Sequence, residues 1–390
     1  MGLDIKGMDV STLIEEEACG AKYYDGGIPG DALEILKKYG TNYVRLRLWN
    51  DPYDEEGRPY GAGTNDLPKT IALSKRAKAL GMKVLLDYHY SDFWADPGKQ
   101  NVPKAWRDYT REELSQAVHD FTAFSLTKMQ EEGVLPDMVQ VGNEITNGLL
   151  WPTGKKPNFD EIADYISSGI RAVRSISEDI EIMIHLDNGG FNSMYVEWFD
   201  NYMKRGEDFD IIGLSYYPFW HGTLDELSFN MKDMAERYGK KIVVAEVSMG
   251  FSMEDYRSYE IPVEVKEKIE TESSGDIQRK QELTDRYISE NLMGMATRPH
   301  LLEKLTYPMT PEGQAGFMQD VMQRIAEVPG GLGFFYWEPA WVPVPGCGWA
   351  NEEALRYTGE KGPGGNEWAN QALFDYEGNS LPALETIRVF

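Results

Sequence analysis

Short apolar runs recur along this chain at nearly even spacing, each followed by a longer amphipathic stretch. Eight of the runs read as strands: 5–10 (IKGMDV), 42–49, 83–90, 137–144, 181–187, 210–218, 241–248 and 332–340. Most are short and rich in β-branched or aromatic residues, as strands buried on both faces are. The stretches between them have helical period. DALEILKKYG at 31–40 closes on a glycine at the C-cap position. The segment 67–81 sets Ile71, Leu73, Ala77 and Leu80 on its apolar side and ends at Gly81. The segment 111–133 carries Leu114, Val118, Phe121, Ser125 and Met129 on one stripe. Further helices are predicted over 159–176, 192–206, 225–239, 312–328 and 381–390. Eight strands alternating with eight helices predict an α/β fold, a (β/α)8 TIM barrel. An open doubly wound sheet would need a glycine-rich phosphate loop after an early strand, and the sequence has none.

One region breaks the period. Between strands seven and eight, residues 251–305 form a long, charged, helix-friendly insertion. It reads either as a solvated helical excursion or as a lid or wall of a cleft. The 390 residues are expected to form one barrel domain, 1–390, with that insertion on the catalytic face.

Active sites of such barrels lie at the C-terminal ends of the strands, so the polar residues there are the candidates. Strand two carries Arg45 and Arg47 alternating with Val44, Leu46 and Leu48. Period two sends the aliphatic residues toward the helices and both arginines inward. Strand three ends in Asp87-Tyr88-His89-Tyr90, and strand four in Asn143-Glu144. Strand five ends in His185-Leu186-Asp187-Asn188, and strand six in Tyr216-Tyr217. Strand seven ends in Glu246, and strand eight in Trp337-Glu338. Glu144 and Glu246 stand on opposite sides of the barrel mouth. Two carboxyls about 5–5.5 Å apart are what a retaining glycosidase needs. Arg45 or Arg47 would keep an attacking carboxylate ionised. Burial and a nearby negative charge would keep the other protonated. Asn143 could hold a sugar 2-hydroxyl.

Composition narrows the ligand. The formal net charge of −25 argues against nucleic acid and anionic membranes, and favours a neutral partner such as a polysaccharide. There is no apolar run of 18 residues, so no membrane span is expected. The opening MGLDIKGMDV has no basic stretch followed by an apolar one, and no export signal is expected within it. Two cysteines, Cys19 and Cys347, make no disulfide framework and no metal knuckle. They follow neighbouring strands, so a bridge between them and two free thiols are both open readings. The histidines form no HExxH, and no zinc is expected. Ten tryptophans are present, with Trp94, Trp151, Trp220, Trp341 and Trp349 in predicted loops and Trp337 ending strand eight. Sugar rings pack their C–H faces on such aromatics, so these predict a carbohydrate platform. The candidates for holding the sugar are Arg45, Arg47, His89, Asp92, Trp94, Asn143, Asp187, Asn188, Tyr216, Trp337 and Trp341. His185 is expected to be structural, and His119 and His300 are given no role.

A series of motifs in order resembles one family. They include KGMDVS (6–11), YVRLRLWNDP (43–52), DYHYSDFWADPGKQ (87–100), VGNEITNGLLWPTG (141–154), GLSYYPFW (213–220), VVAEVS (243–248), FFYWEPAWVP (334–343) and NQALFDYEGNSLPAL (370–384). They resemble the arabinogalactan endo-β-1,4-galactanases, glycoside hydrolase family 53, across residues 6–384, with only 251–305 unmatched. The resemblance implies that Glu144 is the acid/base, that Glu246 is the nucleophile, and that internal bonds of β-1,4-galactan are cut. Several bacterial members carry calcium after strand seven. Here Met253-Glu254-Asp255 and Asn291 make a poor substitute, so no cofactor is expected and calcium stays in question. A polymer substrate implies a secreted or cell-surface enzyme, and a monomer is expected. A barrel hydrolase for mannan or glucan, a sugar-binding module and a metal- or phosphate-dependent barrel are the competing readings.

Overall fold

The computed structural model describes residues 2–294 and 299–390. Eight strands close into a parallel barrel: β1 (Ile5–Asp9), β2 (Tyr43–Leu48), β3 (Lys83–Tyr88), β4 (Met138–Val141), β5 (Glu181–Leu186), β6 (Ile211–Tyr216), β7 (Lys241–Val247) and β8 (Gly331–Tyr336). β1 closes the ring, pairing with β8 at Met8↔Tyr336 and with β2 at Asp9↔Arg45. The eight helices expected from the sequence all form, from Ala32–Lys38 to Pro382–Val389. Local signals set their starts. Thr110 and Glu113 make a reciprocal capping box at the head of Arg111–Glu131, and Asp66 caps Leu67–Ala79 with a proline in the first turn.

Alternation along the strands sorts side chains into two cores. Val44, Leu46, Leu48, Val84, Leu86, Val139, Ile182, Ile184, Ile212 and Leu214 face the helices in the main cluster. Ile5, Tyr43, Leu85, Met138, Met183, Ile211, Val243 and Phe335 fill the lower barrel interior. Each such aliphatic side chain contributes about 1.5–3 kcal/mol by leaving water. Gly7 is required there, since a Cβ would stand 2.2 Å from the Phe335 ring. One pleat higher the inward positions turn polar: Asp9, Arg45, Arg47, Asp87, Gln140, His185 and Ser215, all buried. The barrel is therefore apolar at its base and charged at its mouth.

β7 and β8 both carry register irregularities, and the one in β7 bears on the site. In β7, Leu214 pairs with Val244 but Ser215 pairs with Glu246, a β-bulge that inserts one residue. Val243 faces inward, so strict alternation would turn Glu246 outward onto the helices. The bulge returns Glu246 to the interior and sends Val247 to the outer core instead.

The insertion predicted at 251–305 includes residues 295–298, which lie outside the described residues. Around them stand the helices Val263–Ser273 and Ile277–Asn291, mostly exposed, and a 3-10 turn at Pro299–Lys304. No helix among the described residues is long and apolar enough to cross a membrane. Cys19 and Cys347 are free thiols.

Candidate active site

Arg45 is the centre of the charged layer. Its Nη1 reaches Asp9 at 2.8 Å, and its Nη2 reaches Asp87 and Glu246, both at 2.9 Å. Nη2 also donates to Asn143 Oδ1 at 2.8 Å. Burial works against the charge, but Asp87, Glu246 and Asp9 outweigh it and hold the guanidinium protonated. Arg47 pairs with Glu338 at 2.6 Å and stacks on Trp94 at 4.3 Å. Burial pushes the Glu338 carboxyl up to about 7, against the opposing pull of Arg47.

Glu144 and Glu246 meet across the mouth. Their nearest carboxylate oxygens, with a ring nitrogen of His185, all lie within 4.8 Å of one another. Their surroundings differ. Glu246 is opposed by Arg45 on one oxygen and receives the Tyr217 hydroxyl on the other at 2.8 Å. Among the described residues, no cation pairs with Glu144. Its Oε1 accepts from Ser215 Oγ at 2.6 Å. His185 backs that serine, with Nε2 at 2.8 Å from Ser215 Oγ. Its Nδ1 lies 3.0 Å from both the Gln140 amide nitrogen and Asn143 Oδ1; because Ser215 Oγ gives its proton to Glu144, Nε2 is the nitrogen that donates to the serine. Burial, reinforced by Arg45, holds the ring well below the ordinary histidine range, and it stays neutral. Burial, then the charges of Glu246 and Asp187, push Glu144 far above the usual carboxylate range. Burial raises Glu246 as well, but Arg45 and the Tyr217 hydroxyl oppose the rise. The first proton therefore leaves Glu246, and Glu144 keeps its own.

Backbone strain marks the same rim. Glu144, Tyr90, Asn188 and Glu338 each follow a strand end, with φ of 47°, 49°, 55° and 49°. Holding a non-glycine residue there costs about 1–2 kcal/mol apiece.

The mouth opens into a cavity of about 380 Å³. Of the predicted residues, Arg47, His89, Trp94, Asn143, Trp337 and Trp341 line it with Glu144 and Glu246. Arg45 lies beneath it, bonded to Glu246. His89 takes Trp49 Nε1 and Ala95 N on Nδ1, at 3.2 and 3.1 Å, so its Nε2–H points to Asp87 at 3.1 Å. Four more expected residues are not on the wall. The Asp92 carboxylate is consumed away from the cavity, accepting from Asp51 N, Lys104 N and the Tyr357 hydroxyl at 3.1, 2.6 and 3.1 Å. Asp187 is bonded to Thr146 and Asn188, and reaches the site only through its effect on Glu144. Burial pushes Asp187 up to about 6. Asn188 spends its amide on Asp187. Tyr216 faces the helices, its hydroxyl on the Gly222 carbonyl at 3.0 Å; its neighbour Tyr217 faces Glu246. Trp220 and Trp349 join the wall as expected of loop tryptophans, whereas Trp151 lines a separate groove under the Lys155 ammonium. Sequence reading missed Ser215, Glu367 and Trp368, named Tyr217 only as a strand end, and cast His185 as structural when it supports Ser215. Ser215 and His185 were open to it, since inward alternation with Gly213 and Met183 marks both.

Among the described residues after β7, the two side chains nearest to a calcium-ligand set are engaged elsewhere. Asp255 is taken by Arg257 at 2.7 Å, and Asn291 Nδ2 is bonded to the Tyr287 carbonyl at 2.8 Å. Among the described residues, the grouping close enough to chelate a metal is Glu144, His185 and Glu246, where the imidazole is engaged by Gln140 and Ser215.

Comparison with known proteins agrees with the barrel fold and identifies a family. The sequence profile of glycosyl hydrolase family 53 matches residues 5–296 and 287–387. The chain is 39% identical to an endo-β-1,4-galactanase of Bacillus subtilis (strain 168), over 98% of this chain and 85% of that one. It is 34% identical to an arabinogalactan endo-β-1,4-galactanase of Thermothelomyces thermophilus, over 87% of this chain and 90% of that one. Among solved structures, the family 53 catalytic domain of Ignisphaera aggregans superposes with a TM-score of 0.83 at 39% identity, covering 99% of this chain and 96% of that one.

Proposed function

The chain belongs to glycosyl hydrolase family 53, and from that membership and its site we propose a retaining endo-β-1,4-galactanase acting on the galactan of type I arabinogalactan. The supporting observation is the pairing of two close carboxyls with opposite surroundings. An oxygen of one lies within 4.8 Å of an oxygen of the other, which supports the close pair of a retaining enzyme over the inverting pair, about 6.5–9.5 Å apart. Glu246, ionised beside Arg45, attacks the anomeric carbon as the bond to the leaving sugar oxygen breaks. Glu144 gives its proton to that oxygen. The Glu144 carboxylate then takes a proton from water, whose oxygen displaces Glu246 from the anomeric carbon. The tryptophans hold the sugar faces, and the neutral chain avoids the repulsion that an acidic protein would impose on a charged one.

The test is release of reducing ends from debranched β-1,4-galactan, mannan and carboxymethyl-cellulose in parallel. Release from galactan alone is expected; turnover of mannan or cellulose without galactan would overturn the substrate. The residues 1–390 work as one catalytic domain, as a monomer, outside the cell and without a metal. Light scattering from a larger species, activity confined to cells, or activity lost on chelation would each overturn the corresponding part.

A further inference from the structure

Among the described residues, the insertion after β7 contributes nothing to the cavity wall. It is nevertheless bonded to the loop that does. Glu260 is only 3% exposed, and its Oε1 accepts the backbone N–H of Asn366 at 2.6 Å. Met293 N–H donates to the Gly364 carbonyl at 2.8 Å, extending the same seam. Gly365 passes between them at φ +97°, where a Cβ would stand 3.3 Å from Met293 N and 3.4 Å from Glu260 Oε2. The positive φ favours glycine here, and a side chain would make both neighbours give way slightly. Asn366 is itself fully buried, and its side chain turns toward the cleft. Its Nδ2 donates to the Trp341 carbonyl at 3.0 Å, and its Oδ1 accepts the Trp368 N–H at 3.0 Å. One asparagine thus ties two cavity tryptophans together, and its own backbone is held from the insertion.

We propose that Glu260 and Asn366 are a positioning pair that sets the Trp341–Trp368 wall, so that the insertion determines how tightly the cleft grips its sugar chain. The geometric part stands alone; the part about grip rests on the galactanase reading. Burial pushes the Glu260 carboxyl up to about 8, so at neutral pH it is the neutral acid and glutamine reproduces its shape and charge.

The experiment compares Glu260→Ala, Glu260→Gln and Asn366→Ala with the parent protein, by galactan kinetics and by acrylamide quenching of tryptophan fluorescence without substrate. Both alanine variants are expected to raise KM about three- to tenfold, with kcat within about twofold, as loss of uniform binding does. Quenching rises in both, and Glu260→Gln restores both readouts. If the alanine variants lose their folded circular dichroism, Asn366→Asp gives the same test, because it keeps the acceptor for Trp368 and drops the donor to Trp341. Unchanged KM and quenching, or a loss confined to kcat, overturns the proposal. A parent protein inactive on galactan sinks the substrate reading, and the quenching series then judges the wall by itself.

Discussion

Glu246→Ala abolishes galactan hydrolysis, with kcat down roughly ten-thousandfold to a millionfold and the barrel still folded. The loss is this large because the covalent step has no other candidate. Glu246 stands at the barrel mouth with an arginine on one carboxylate oxygen and a phenol on the other. The fold survives because Arg45 keeps Asp9 and Asp87 as partners at 2.8 and 2.9 Å, so no buried charge is left bare. Azide makes the test specific. It fits the space the carboxylate vacates and attacks the anomeric carbon from that side, giving an α-galactosyl azide from an activated β-galactoside. A β-configured azide from this variant, or activity within about tenfold of the parent protein, would remove Glu246 as nucleophile.

The barrel was legible because a parallel strand buried on both faces reads as a short apolar run, and eight such runs separated by helical periods admit few topologies. Glu144 was legible as a strand end. Glu246 was placed inward for a weaker reason. Strict alternation from Val243 points it outward, and only the bulge at Ala245–Glu246 brings it back. A one-residue irregularity is set by packing against both neighbouring strands, and a local pattern cannot announce it. The same limit explains Tyr216. Period two carries it outward with Leu214, while Tyr217, just past the strand, is free to turn in. Asp92 sits inside a family-like motif but is spent on three donors, Lys104 of its own loop and Asp51 and Tyr357 from the segments after β2 and β8, the common fate of a buried carboxylate. The roles of Glu367 and Trp368 lay beyond reach, since their segment is brought to the cleft by contacts with the insertion far away in sequence.

Glu144→Ala produces a loss that depends on the leaving group. The proton that Glu144 supplies is needed only when the departing oxygen is a poor leaving group. A sugar hydroxyl is poor and a dinitrophenolate is good. Galactan hydrolysis is therefore expected to fall about a hundredfold to ten-thousandfold, the span of general acid catalysis. Glycosylation by a dinitrophenyl β-galactoside keeps most of its rate, appearing as a burst of phenolate before slow turnover, because water still lacks its base. Added azide needs no base and restores turnover, now giving the β-azide. In the parent protein the rate climbs with pH as Glu246 ionises and falls as Glu144 loses its proton. The alkaline fall belongs to Glu144 and disappears in the variant. Ser215→Ala is the graded version. Its hydroxyl favours the charged form of Glu144, so removing it raises the Glu144 pKa and moves the alkaline limb to higher pH. The lost hydrogen bond, about 1.4 kcal/mol, lowers kcat about tenfold. An equal loss on galactan and the activated galactoside, or an alkaline limb that moves down in Ser215→Ala, would take the acid's role away from Glu144.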